Sequence, residues 1–540
     1  MPMNMEYSCV QLIDLPDEIL MIILKKLSNV LVLYSLIGVN KRLNTIVCDS
    51  TFTSHLTLMR YFSDDCIYPL PDPMLGRFLQ ILPEIHHNIK WLNLESSSME
   101  RILLATNYPN LYGLGLYKID IETAVSLFID NSSWIPILKN QISSLFIDTI
   151  KYKDCYQKNI HIRILSHIFI TFTNLKHLNF CPCICGTQQS FIDILPLSVM
   201  SSTLLELYIT IERFDYCLYL LDGRVNQLRL LHVNIDYISS SNFAVNNKEK
   251  LFNLRFFLLH CRCSTSVYDE LILPLLHRMP NLEELDLYLI VNCKTEFIDG
   301  NNLKNNIFNH MPRLNQLTFN IRSIISHRNK INLPSNEDIQ HTFRDFTDNK
   351  IISCVDYFPE NKYSHCHIYS YPYKLKHYNE ITNNFPGGLF KYVHEISLFD
   401  ERPFEHEFFY RIAESFPLLE ELTVINKKPQ NCKRYIKTEN DNQDLSIIKY
   451  PHLNKLFLNE AHDDYVEEFL IDTKVCLPNN VCLFVKYESL ESVTYNFTRN
   501  ATRLNCAKVN YMCTKLDYLT NRDFQFPKHF KDYFLHVDLS

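Results

Sequence analysis

Leu282-Glu283-Glu284-Leu285-Asp286-Leu287-Tyr288 carries apolar residues at its first, fourth and sixth positions, and this spacing decides the fold. Leu285 to Tyr288 alternates in the two-residue period of a strand with one buried face. The same pattern recurs at Ile89-x-x-Leu92-x-Leu94, Leu111-x-x-Leu114-x-Leu116, Ile142-x-x-Leu145-x-Ile147, Leu175-x-x-Leu178-x-Phe180 and Leu204-x-x-Leu207-x-Ile209. Leu228-x-x-Leu231-x-Val233, Leu254-x-x-Phe257-x-Leu259 and Leu314-x-x-Leu317-x-Phe319 continue it, and further copies are read at Val393, Leu419, Leu453 and Leu490. From Ile89 to Leu314 the mean step is about 28 residues, room for a short strand and a helix in each copy. Apolar stretches such as Leu271 to Met279 supply the helix, and Met279-Pro280, Met311-Pro312, Phe416-Pro417 and Tyr450-Pro451 place a helix-ending proline just ahead of the strand. Each copy must then bury its leucines against its neighbours.

Length and composition agree with stacked elements. The chain has 540 residues, beyond the usual size of a single core. Nine glycines leave little material for phosphate-cradling loops, which argues against nucleotide enzymes. A net charge of −7, with 46% hydrophobic and 21% charged residues, describes an ordered chain. The stretch before Asp14 does not read as a secretory signal, and no run is long and apolar enough to span a bilayer. The expected compartment is cytoplasmic and/or nuclear, where the 18 cysteines are read as free and buried, and the sequons at Asn131, Asn496 and Asn500 are discounted.

Leu15-Pro16-Asp17-Glu18-Ile19-Leu20 puts a proline at the first turn of a helix and two acids at the positive end of its dipole. Ile19, Ile23 and Leu27 fall four apart, with Leu20 and Leu24 beside them, and Leu36, Val39, Leu43 and Ile46 form a second stripe. A hairpin-like helix pair is expected, and so small a segment cannot bury both stripes, so at least one faces something else. These positions, with Val39-Asn40-Lys41-Arg42-Leu43, resemble the F-box motif in order and spacing from about Leu12 to Phe52. Asn40 replaces a usual serine, and Leu43 stands where an aromatic residue is common. The resemblance implies docking on the Skp-type adaptor of an SCF ubiquitin ligase, and through it on a cullin. Leu15, Pro16, Ile19, Ile23, Leu27, Leu36, Val39 and Leu43 would form the hydrophobic interface.

The longer array is similar to the larger leucine-rich repeat, and the two parts together resemble F-box proteins of the leucine-rich type, which serve as substrate receptors. The implied fold class is α/β: an N-terminal helical F-box followed by an irregular leucine-rich-repeat solenoid, right-handed, with parallel strands inside and helices outside. Its boundaries are an F-box at 9–56, a linker at 57–84, the array at 85–520 and a C-terminal segment at 521–540. The asparagine or cysteine expected three positions past the last leucine is mostly missing, Cys183 being the clearest survivor, and 322–392 breaks the period. Within that stretch Ile351 to Phe358 and Cys366 to Tyr373 read as strands, belonging either to degenerate repeats or to an insertion. Residues between the leucines turn to the opposite, concave face. There Trp91, Tyr117, Phe146, Tyr208, His232, Phe256, Tyr288, Phe399 and Phe457 form a row suited to anchoring a protein target, unless they pack on one another or the segment near Phe530 to Leu535 folds over them.

Other chemistry finds less support. Cys181-Pro182-Cys183-Ile184-Cys185, Cys261-Arg262-Cys263 and His365-Cys366-His367 have single-residue gaps, unlike the two to four residues typical between structural zinc ligands, so no metal is expected. Recognised catalytic and cofactor motifs are missing, and the reading is a non-enzyme without cofactor. Lys427, Lys428, Lys433, Arg434 and Lys437 read as a solvated loop in an acidic chain, so neither nucleic acid nor membrane is an expected partner. The competing function is a leucine-rich-repeat interaction scaffold unconnected to ubiquitin, whose N-terminal helices only cap the first repeat.

Overall fold

A computed structural model describes residues 15–61, 67–129, 133–150, 160–181, 201–239, 249–326, 333–346, 350–431, 447–515, 527 and 530–539. Leu12, Asn131, Cys183, Cys185, Lys433, Arg434 and Lys437 therefore lie outside the described residues. The protein is α/β, with a mostly parallel thirteen-stranded sheet, a parallel seven-stranded sheet and helices between many of the successive strands. It divides into two compact units, residues 1–290 with 305–317, and residues 291–304 with 318–540.

In the N-terminal unit the sequence copies fall on consecutive strands in parallel register. Leu92 pairs with Leu114, Leu114 with Leu145, Leu145 with Leu178, Leu178 with Leu207, Leu207 with Leu231 and Leu231 with Phe257. Every one of these side chains is buried, as is the parallel row Leu94, Leu116, Ile147, Phe180, Ile209, Val233 and Leu259. Helices lie against these strands, Ser96–Leu103 on Trp91–Glu95 and Gly113–Ile119, and Phe214–Leu220 on Glu206–Arg213.

A backbone device repeats with the leucines. The carbonyl just after the first leucine of a copy accepts two consecutive N–H groups of the next: Tyr112 from Ser143 and Ser144, Ser143 from Lys176 and His177, and Lys176 from Leu205 and Glu206, at 2.8–3.0 Å. The residue just before the first leucine adds a side-chain rung. Asn110, Asn174, Asn253 and Asn281 donate to the carbonyls of His87, Asn140, Asn226 and Phe252 at 2.6–2.8 Å. The side-chain ladder therefore stands just before the first leucine of a copy rather than three positions past the last.

The stretch expected to be a linker at 57–84 is built into the unit. His55–Tyr61 is a strand in register with Trp91–Glu95, Leu56 opposite Leu92 and Leu58 opposite Leu94, and Asp72–Ile85 is a helix with Leu75, Phe78, Ile81, Leu82 and Ile85 buried. The N-terminal segment also differs from the expected helix pair. It consists of Asp17–Leu24, Asn29–Leu36, Lys41–Val47 and Ser50–Thr53, because Gly38 at φ +85° turns the chain and Asn40 starts a new helix.

In the C-terminal unit Glu395–Phe399, Glu421–Asn426, Lys455–Ala461, Val481–Lys486 and Val509–Lys515 pair in parallel, Leu422 opposite Leu456 and Leu456 opposite Leu483. The copy read at Leu490 is corrected: Leu490 and Val493 lie in the helix Tyr487–Val493, and the strand precedes it. The irregular stretch contains an antiparallel insertion, Lys350–Phe358 paired with Tyr363–Tyr371, which also pairs antiparallel with Gln316–Ser326. Near the C-terminus Phe530, Tyr533 and Phe534 are buried in the core of this unit, against Phe497. Asp538–Leu539 forms its last strand.

A polar knot holds the insertion. His365 Nε2 meets Asp356 Oδ2 at 2.9 Å, and Thr382 and Asn384 donate to Asp356 Oδ1 at 2.7 and 2.8 Å. Burial pushes the Asp356 carboxyl up, but the hydrogen bond and charge of His365 outweigh it and hold the group below its ordinary value. His367, 4% exposed, contacts Asn320 Oδ1 through Nε2 at 2.9 Å. Its burial, then the charges of Arg322 and His365, hold it well below its ordinary value of 6.5 and therefore neutral. As pH falls through 6.5 the unfolded chain takes up a proton that folded His367 refuses, so this contribution to stability is full above 6.5 and declines below it. The protection of the hairpin amides against hydrogen exchange, corrected for intrinsic rates, should fall between about pH 7 and pH 5 and fall less in His367→Gln.

Candidate functional site

The N-terminal helices present two different faces. Leu20, Leu24, Val30, Val32 and Leu33 are buried, whereas Ile19, Ile22, Ile23, Leu27, Leu31 and Val39 are 39–58% exposed. The inward face packs on the first strand, where Asn29 Nδ2 donates to the His55 carbonyl at 3.2 Å and the Ser54 carbonyl accepts from Lys90 and Trp91. Arg42 pins the arrangement, its Nε donating to Asp17 Oδ1 at 2.7 Å and its Nη2 to the Leu15 carbonyl at 2.5 Å. Arg77 Nη2 donates to the Ile37 carbonyl at 2.6 Å and fixes the turn at Gly38.

Of the expected adaptor contacts, Pro16, Ile19, Ile23, Leu27 and Val39 are exposed, and Leu15 and Leu36 are half-buried. Leu43 is corrected: it is 5% exposed and belongs to the core. Asn40 does the work open to a serine, its side-chain oxygen accepting the Leu43 N–H at 2.8 Å as the helix cap. Ile22 and Leu31 join the exposed band without having been singled out, although Ile22 lies beside Ile19 and Ile23 in the same helix. Exposed apolar side chains gathered on one short segment are the kind of surface that a partner covers.

On the sheet, strand alternation leaves most of the expected aromatic residues half-buried. In the N-terminal unit Trp91, Tyr117, Phe146, Tyr208, His232 and Phe256 are half-buried. The register sets Tyr208 beside His232, ring centroids 5.5 Å apart, and Tyr117 stacks on Phe146 at 4.8 Å. Trp91 lies across Gly113, where a Cβ would come within 1.9 Å of its ring, and its indole N–H donates to Asn93 Oδ1 at 2.7 Å. Tyr288 is corrected: at 7% exposure, packed edge-on against His260, it offers no open anchor. Phe399 and Phe457 belong to the C-terminal unit, half-buried against Phe358 and Phe484 respectively.

The sulfur and basic clusters divide differently. Cys261 is buried and free, its thiol pushed up to about 12 chiefly by burial, and Cys263 is free and half-buried. Among the described residues no group of three histidine, cysteine, aspartate or glutamate side chains could hold a metal ion, and no helix is long and apolar enough to cross a membrane. Lys427 and Lys428 pair with Glu460 and Glu360 at 3.8 and 2.6 Å. Comparison with models of known protein families and with curated proteins finds no match.

Proposed function

We propose that the chain is the substrate-recognition subunit of an SCF-type ubiquitin ligase, an F-box docked on a Skp-type adaptor and, through it, a cullin, followed by an irregular leucine-rich-repeat solenoid that binds the target. The observation that carries this reading is the exposed band Ile19, Ile22, Ile23, Leu27, Leu31 and Val39, held on helices whose opposite face is already satisfied. The in-register leucine rows support the repeat reading, and the half-buried aromatic residues on alternate positions support target capture there. The chain performs no bond chemistry of its own in this reading. Binding raises the effective concentration of a target near a ubiquitin-charged enzyme held elsewhere in the assembly.

A second reading, a repeat scaffold with a helical cap, draws on the packing of the same helices against the first strand. One experiment separates the two. Ile19→Glu with Ile23→Glu alters exposed side chains only, so the doubly substituted protein should melt as the parent does while losing co-purification with a Skp-type adaptor. A parent chain that never retains the adaptor, or a variant that retains it fully, overturns the receptor reading and leaves the scaffold.

A further inference from the structure

Phe146 and Asp148 occupy alternate positions of the strand Ser144–Thr149, on the face opposite buried Leu145 and Ile147. Gly115 lies beside Phe146 in the neighbouring strand and has no side chain to fill the space. A Cβ there would meet Asn93 Oδ1 at 2.2 Å and the Tyr117 ring at 3.0 Å, so the glycine makes room for Tyr117 to fold onto Phe146, the rings 29° from parallel. Tyr61, 57% exposed, ends the first strand close enough that the Asp148 charge raises its hydroxyl, after burial. Burial, then Tyr61 and Asp148, push the Tyr117 hydroxyl up to about 12.

Asp148 is half-buried, and burial raises its carboxyl against a single opposing backbone hydrogen bond from Lys118. Among the described residues no side-chain cation pairs with it. The Lys118 ammonium turns elsewhere, donating to the Ile67 carbonyl at 3.2 Å and lying 5.1 Å from the Tyr68 ring centre. A half-buried carboxylate with no cationic partner among the described residues, on the same strand face as the Phe146 ring that Tyr117 stacks on, is complementary to a desolvated cation.

We propose that Tyr117, Phe146 and Asp148 form a binding site for the side-chain cation of a lysine, methylated or not, on a captured protein. The aromatic rings supply cation–π attraction and apolar contact to the methylenes or methyls, and Asp148 supplies the opposite charge. The identity of the captured protein as a ligase target rests on the receptor reading, but the site itself does not.

The full chain is tested with choline as a small organic cation and with 3,3-dimethylbutan-1-ol, its neutral isostere, by ligand-observed saturation-transfer NMR. Choline should give saturable binding and the alcohol at least five-fold less, and Asp148→Asn and Phe146→Leu should each weaken choline at least five-fold with the melting temperature unchanged. Nα-acetyl-Nε-trimethyllysine amide and Nα-acetyl-lysine amide as further probes establish whether methylation strengthens binding. Equal signals from cation and alcohol, or full choline binding by Asp148→Asn, overturn the proposal. Adaptor co-purification is unaffected by these variants, so its outcome and that of the cation assay are read independently.

Discussion

Leu207→Ala should cost the N-terminal unit about 2–5 kcal/mol, the range for deleting a buried leucine side chain. Leu207 is fully buried, and its register partners Leu178 and Leu231 are equally enclosed, so the cavity is walled on both sides by strands that hydrogen bonds hold in place. The site cannot collapse without breaking a row that continues through Leu145 and Leu114. Ser144→Ala, at a half-buried outward position, should stay within about 0.5 kcal/mol. Denaturant unfolding followed on both variants checks the contrast, and equal midpoints would show that the Leu207 side of the sheet is not the core.

Glu468→Gln should destabilise the C-terminal unit by about 3–5 kcal/mol, because it removes the buried carboxylate that pairs with Lys474. Glu468 is 1% exposed at its side chain and takes His406 Nδ1 at 2.6 Å and Lys474 Nζ at 2.8 Å. Burial raises its carboxyl, but the hydrogen bond from His406 and the charge of Lys474 prevail and hold it below 4.5. Neutralising it leaves the Lys474 ammonium facing an amide in place of a carboxylate. The paired change Glu468→Leu with Lys474→Met should recover part of the loss, since an apolar replacement removes both ions together. The pH dependence has a definite sign: the Glu468 carboxylate's contribution is complete above 4.5 and disappears as pH falls through the depressed folded value. Thermal melts of the three proteins at about pH 7 and pH 4 measure both effects.

These outcomes depend on features of unequal visibility in the sequence. The leucine rows are legible because a strand that must bury alternate residues cannot change register without exposing all of them. Two of the unread copies carry a polar residue in the first apolar position. Thr53 precedes Leu56 and Leu58, and Asn480, at φ +66°, precedes Leu483 and Val485. Leu490 misled because apolar residues three apart mark one face of a helix as readily as the opening of a repeat.

The same ambiguity joined Leu36, Val39, Leu43 and Ile46 into a single stripe. Their spacing survives the turn at Gly38, although Val39 ends exposed and Leu43 buried. The aromatic row follows from alternation alone, whereas the enclosure of Tyr288 depends on His260 in the adjacent strand. Tyr117 reaches Phe146, and the strand face that Asp148 shares, only through strand order, so no local pattern announces them.

Trp91, laid across Gly113 at the sheet surface, also gives the molecule an optical signal. The chain has two tryptophans, and Trp134 is sealed inside the same unit with no exposed surface. Aqueous iodide can therefore quench one emitter and spare the other, and a ligand settling over the first strands changes the colour of Trp91 against a constant internal standard. Occupancy of this face is measurable by fluorescence without attaching a label.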